Sequence, residues 1–261
     1  MHPARFILSA AIAAIGSLVL AQPASAAPVN YVALGDSYSS GVGTGSYIGS
    51  SGGCKRSNYA YPALWAAARS VASFSFQACS GARTGDVLNQ LGALSASTTL
   101  VSVTVGGNDA GFTDVITTCT FGTDQDCTNR TNQAKTYVQN TLPGLLDNVY
   151  AQIRNRAPGA QVVVLGYPRM YKVPGSCNAG LSETKRAAIN GAADALAVVI
   201  GQRAGAKGFT FRDLRTPWTG HEICSSDWWM NSLSWPVEES YHPNRNGQSK
   251  GYLPQLTAVT G

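Results

Sequence analysis

The sequence has little of three features, and each scarcity excludes a class of protein. After the apolar run Phe6–Leu20, no stretch approaches the roughly 20 apolar residues that a membrane-spanning helix needs. Lysine and arginine form no cluster despite a net charge of +5, so we expect no nucleic-acid partner. The six cysteines include no Cys-x-x-Cys pair, and there are only three histidines, so we expect no metal site.

The N-terminus has the pattern of a secretory signal peptide. Arg5 precedes the apolar run Phe6–Leu20, and small residues lead to a cleavage site expected after Ala26. We therefore expect a signal peptide over residues 1–26 and an exported, extracellular protein. No linker or repeat divides residues 27–261, which are long enough for one α/β domain with a full core.

An even number of cysteines in an exported chain predicts a disulfide framework. The order along the sequence suggests Cys54–Cys79, Cys119–Cys127 and Cys177–Cys224. Six cysteines allow many other connectivities, and the sequence alone does not choose among them.

Short apolar segments alternate with longer helical patterns, as in a parallel sheet covered by helices on both faces. The predicted strands are Tyr31–Leu34, Ser73–Gln77, Leu100–Val105, Gln161–Leu165 and Phe209–Phe211. The predicted helices are Tyr59–Ser70, Asn132–Ala157 with an interruption at Pro143, and Ser182–Ala204. In such sheets the functional site lies at the carboxyl ends of the strands.

Three motifs follow predicted strands and together supply the groups that acyl transfer requires. Ser37 follows the first strand in a Gly-Asp-Ser turn and is a candidate nucleophile. Gly81 and Asn108 follow the next two strands, where a backbone N–H and a side-chain amide could bind an oxyanion. Each motif alone could be an ordinary turn.

The general base has a short list of candidates because, once His2 is removed, only His221 and His242 remain. His242 lies in a Tyr-His-Pro loop that leads into the last predicted helix. His221 lies before Cys224 and an aromatic-rich stretch, where a packed or substrate-lining histidine is at least as reasonable as a catalytic one.

These motif blocks, in this order, resemble the SGNH hydrolases, also called GDSL lipases, of the small secreted bacterial type. The resemblance implies Ser37 as nucleophile, His242 as base, and the backbone of Ser37 and Gly81 with the Asn108 side chain as the oxyanion hole. It also implies a flavodoxin-like three-layer α/β/α sandwich around a five-stranded parallel sheet, and the sequential disulfide pairing. The activity implied is that of a serine esterase or lipase, with phospholipase A1 activity included, and it requires no metal or organic cofactor.

One position departs from the family pattern. The family usually has an aspartate three residues before the base, where this chain has Glu239. Either the Glu239 side chain or the backbone carbonyl of Ser240 could orient His242, and we favour the carbonyl, which makes a Ser–His dyad.

The substrate region is less defined. The stretch Asp227–Trp235 concentrates aromatic residues that could pack the core, line an acyl site, or do both. The segment Ala110–Asn132 is polar, is tied by the expected Cys119–Cys127 bridge, and shows no long amphipathic lid. We expect a monomer that acts on esters of medium to long acyl chains and contacts lipid surfaces at most transiently.

Two alternatives remain at this stage. The same serine site would serve a carbohydrate (acetyl) esterase, with exposed tryptophans that stack on sugars. A secreted non-enzymatic binding module would use the disulfides and aromatic residues as an adhesion surface, with Ser37 as no more than a helix cap.

Overall fold

The computed structural model describes Met1, residues 28–175 and residues 180–261. The expected signal peptide therefore lies, apart from Met1, outside the described residues. So does Cys177 of the third expected disulfide.

Five parallel strands form one sheet in the order β2-β1-β3-β4-β5, which is the flavodoxin-like order. Their bounds are β1 Asn30–Gly35, β2 Ser73–Phe76, β3 Leu100–Thr104, β4 Gln161–Leu165 and β5 Thr210–Arg212. The central strands read as continuous apolar runs because helices cover both of their faces. The α/β fold class expected from the sequence is confirmed.

Helices cover the sheet, and two of them, α2 and α8, pack against each other and against strands. The helices are α1 Ser37–Ser40, α2 Tyr61–Ala67, α3 Thr84–Gln90, α4 Phe112–Phe121, α5 Asp124–Asn140, α6 Leu142–Arg156, α7 Glu183–Ala206 and α8 Leu253–Thr260. Short 3-10 segments lie at Gly49–Cys54, Leu91–Ala93 and Val237–Glu239, and a π-helical turn at Gly247–Tyr252 precedes α8. Contacts also run from α3 to α6, from α6 to α7, and from α7 to α5.

The predicted helix Asn132–Ala157 is two helices in the structure. The first begins earlier, at Asp124, because Thr123 and Asp126 form a reciprocal capping box there. The second begins at Leu142, with Pro143 in its first turn, where a missing N–H costs nothing. The segment described in the sequence as polar therefore contains α4 and the start of α5.

Two disulfides are present among the described residues. Cys54 is bonded to Cys79 and Cys119 to Cys127, two of the three pairs that the resemblance implies. Cys224 is not a free thiol. Among the described residues, no helix is long and apolar enough to cross a membrane.

Candidate active site

The three motifs predicted at strand ends meet at the carboxyl edge of the sheet. Ser37 follows β1, Gly81 follows β2 and Asn108 follows β3. Because β1 is hydrogen-bonded to both β2 and β3, these three loops are neighbours. The order of the strands thus assembles groups that are far apart in the sequence.

Asp36 holds the turn that presents Ser37. Its carboxylate accepts hydrogen bonds from the backbone N–H of Tyr38 at 3.0 Å, from the Thr104 hydroxyl at 2.6 Å and from the Tyr167 hydroxyl. It therefore caps the first turn of α1 and ties that turn to β3. Burial raises the pKa of Asp36 to about 6 although these hydrogen bonds oppose the shift.

Ser37 and His242 are in direct contact. The Oγ of Ser37 lies 2.8 Å from Nε2 of His242, and Nδ1 of the same ring lies 2.8 Å from the backbone oxygen of Ser240. His242 is partly buried, and the surrounding protein disfavours the imidazolium, so burial lowers the pKa of His242 to about 4. The imidazole is therefore neutral at pH 7 and can accept a proton.

Glu239 does not reach His242. Its Oε1 instead accepts a hydrogen bond from the Tyr47 hydroxyl at 2.7 Å, and that hydroxyl in turn accepts one from the Gly43 N–H at 3.2 Å. Glu239 therefore links the glycine-rich loop, residues 41–47, to the loop that carries His242 instead of orienting the imidazole.

The backbone around His242 is fixed from several sides. The His242 carbonyl accepts from the Asn231 N–H at 2.9 Å, and the Tyr241 carbonyl accepts from the Tyr38 hydroxyl at 2.9 Å. Gly43 packs so closely that a Cβ there would lie 2.9 Å from the Cβ of His242, and its φ of +95° also favours glycine.

Hydrogen-bond donors without protein acceptors lie near Ser37. Among the described residues, neither the Ser37 N–H nor the Gly81 N–H donates to a protein acceptor. The Asn108 side chain donates one N–H to the Ala82 carbonyl at 3.0 Å, which leaves its second N–H available in the cleft that Asn108 lines. The adjacent Asp109 accepts from both the N–H and the hydroxyl of Thr84 and so fixes the loop.

An apolar cleft opens beside the serine. It encloses about 690 Å³ of non-protein space, including its mouth. Ser37 and Asn108 lie on its wall together with apolar side chains from α4, α5, the loop after β4 and α7, namely Phe112, Val115, Ile116, Ala134, Val138, Pro168, Met170, Ile189, Ala192, Ala193 and Leu196. Such a cleft suits an extended hydrocarbon chain more than a sugar or a peptide.

The residues of the cleft wall carry no signal in the sequence that separates them from core residues. Ile189, Ala192, Ala193 and Leu196 recur at helical spacing, a pattern that fits a core face equally well. Of the aromatic stretch, Trp229 is buried, with its ring stacked 3.6 Å from that of His221. Among the described residues that line the cleft, none is a tryptophan.

Comparison with known proteins identifies the family. The GDSL-like Lipase/Acylhydrolase family model matches residues 33–250. The chain belongs to this family. The resemblance drawn from the four motif blocks is thereby confirmed.

Similar proteins come from Streptomyces. Lipase 1 of Streptomyces coelicolor is 58% identical over 255 residues, which cover 97% of this chain and 95% of that protein. The structure of an extracellular lipase from Streptomyces rimosus superposes with a TM-score of 0.87 at 59% identity, covering 89% of this chain and 100% of the other. The structure of phospholipase A1 from Streptomyces albidoflavus gives 0.87 at 59% identity, with 89% and 99% covered.

Proposed function

We propose that this protein hydrolyses carboxylic esters of medium to long acyl chains through a Ser37 acyl-enzyme. The observation that carries the proposal is the 2.8 Å contact between Ser37 Oγ and His242 Nε2 at the wall of an apolar cleft. Family membership and the lipase and phospholipase A1 names of its relatives support the same activity.

The reaction proceeds in two steps. His242 accepts the Ser37 proton as the hydroxyl attacks the ester carbonyl, and it then protonates the leaving alcohol. Water repeats the sequence on the acyl-enzyme, with His242 again as the base. The Ser240 carbonyl orients the imidazole, so the catalytic pair is a dyad and Glu239 takes no part in proton transfer.

The oxyanion of each tetrahedral intermediate binds to the backbone N–H groups of Ser37 and Gly81 and to the Asn108 amide. Their freedom from protein acceptors supports this role, because donors that are already in place need no rearrangement when negative charge develops.

The cleft favours lipid esters over acetylated carbohydrate. An acetyl group would leave most of the apolar wall in contact with water, whereas a longer acyl chain would cover it. Phospholipids are included in the proposed substrate class, since a relative is a phospholipase A1. We further propose export through a signal peptide over residues 1–26, one catalytic domain over 27–261, and a monomer.

Labelling with a serine-directed organophosphate tests the proposal. A mass increase on the peptide that contains Ser37, with matching loss of ester hydrolysis, is expected. The label should be absent from the Ser37→Ala variant and strongly reduced in His242→Ala, because the hydroxyl then lacks its base. Labelling elsewhere, or full activity after labelling, would refute the Ser37 assignment.

A further inference from the structure

The segment that leads into His242 carries large apolar side chains in contact with water. Leu233, Trp235 and Val237 are 67%, 90% and 58% exposed. We name these three side chains the loop patch. Three large apolar side chains exposed within five consecutive residues mark a binding site more often than a single exposed residue does.

The loop patch is tied to the catalytic histidine by the backbone. The Asn231 N–H donates to the His242 carbonyl at 2.9 Å, and the Tyr241 N–H donates to the Asn231 carbonyl at 3.0 Å. Closer to the tip, the Ser234 N–H donates to the Ser240 hydroxyl at 2.9 Å. These bonds close a short loop whose base holds His242 and whose tip presents Trp235.

The two carboxylates next to the loop patch each have a side-chain partner. Glu238 forms an ion pair with Lys55 at 2.5 Å, and Glu239 accepts from Tyr47. An apolar surface can therefore approach the patch with the Glu238 charge neutralised by Lys55 and the Glu239 carboxylate hydrogen-bonded to Tyr47. The Trp235 indole combines a large apolar ring with one polar N–H, a combination suited to the boundary between water and hydrocarbon.

We infer that the loop patch docks the enzyme onto the surface of aggregated lipid. The identification of lipid as the occupant rests on the proposed function. A lipid surface would present acyl chains to the cleft that Ser37 lines and beside His242, whereas a protein seated on the same loop would obstruct access to Ser37. Docking here also requires no lid, because the side chains are already exposed.

Vesicle binding in the Ser37→Ala background, where no lipid is consumed, tests the inference apart from catalysis. The probe is phosphatidylcholine vesicles, with binding followed by co-sedimentation in low and high salt. Trp235→Ala should weaken binding about tenfold, the equivalent of about 1.4 kcal/mol of lost apolar transfer. High salt should have little effect, because the contact is apolar and screening acts on charges.

Phe121→Ala is the matched control, since Phe121 is also a highly exposed aromatic residue, 86% exposed, at the C-terminal end of α4. Val198→Ser on α7 similarly matches Val237→Ser. Neither control variant should change vesicle binding. In enzymes that keep Ser37, Trp235→Ala should lower the ratio of vesicle phospholipid hydrolysis to soluble p-nitrophenyl butyrate hydrolysis about tenfold.

Three results would overturn the inference. The first is no vesicle binding by the Ser37→Ala protein, and the second is an equal loss in Phe121→Ala. The third is a dimer in vesicle-free buffer that Trp235→Ala dissociates, which would make the loop patch an interface between copies of this chain. If vesicles bind through Trp235 but no ester is hydrolysed, the proposed function fails and docking stands.

Discussion

The backbone oxygen of Ser240 lies 2.8 Å from Nδ1 of His242. A carbonyl oxygen only accepts hydrogen bonds, so Nδ1 carries the proton and Nε2 presents its lone pair to the Ser37 hydroxyl. One neutral contact thus sets both the tautomer and the direction of the ring, and a third ionised residue is not needed for either.

Glu239→Gln is therefore expected to lower kcat less than about tenfold, whereas loss of a true triad carboxylate can cost ~10⁴. Tyr47→Phe removes the same hydrogen bond from the other side and should give a similar small effect. Steady-state kinetics on a soluble ester decides the matter. A loss of kcat near 10⁴-fold in Glu239→Gln, with a near-normal kcat in Tyr47→Phe, would show that Glu239 is the third member of a catalytic triad.

The pH profile should reflect the burial of His242. With the neutral imidazole as the proposed base and its pKa lowered to about 4, protonation of His242 should lower kcat/KM only as the pH drops through about 4. His242 also lowers the free energy of unfolding in acid. As the pH falls from about 6.5 to about 4, the imidazole is protonated in the unfolded chain but not in the folded chain, which favours unfolding. Asp36 has a pKa of about 6, so Asp36→Asn serves to remove its contribution to the profile. A midpoint of the kcat/KM profile between pH 6 and 7 that persists in Asp36→Asn would contradict the lowered pKa of His242.

Asn108→Ala should reduce kcat by roughly 10²–10³, since one oxyanion donor is lost while the base and nucleophile remain. Thr84→Val is the matched control, because it removes the hydroxyl bond to Asp109 in the same loop but no donor to the cleft. Thermal unfolding of both variants separates local destabilisation from catalysis. Near-normal kcat in a folded Asn108→Ala protein would show that the oxyanion binds elsewhere.

Ala193→Leu should shorten the preferred acyl chain. The added side chain projects into the cleft between α4, α5 and α7, so hydrolysis of palmitate esters should fall at least about tenfold relative to butyrate esters. Ala187→Leu on the exposed side of α7 is the control and should leave the ratio unchanged. Equal losses on both esters in Ala193→Leu would mean that the acyl chain lies outside this cleft.

The strands, and the motifs that meet at their carboxyl ends, could be predicted because their signals are local. Gln161–Leu165 is a continuous apolar run, and Ser37, Gly81 and Asn108 each follow a strand. The hydrogen-bond partner of the Glu239 side chain could not be predicted, because that partner, Tyr47, is 192 positions away in the sequence. The apolar wall of the cleft was missed for a related reason: Ile189 and Leu196 have the spacing of core residues, and only the packing of α4 against α5 and α7 leaves a cleft beside them.

The most direct test of the account is hydrolysis of p-nitrophenyl esters from acetate to palmitate by residues 27–261, measured beside Ser37→Ala. We predict activity that rises toward medium and long acyl chains and disappears in the variant. Activity confined to acetate would indicate a carbohydrate deacetylase instead. Activity that survives in Ser37→Ala would contradict the central claim that Ser37 is the nucleophile.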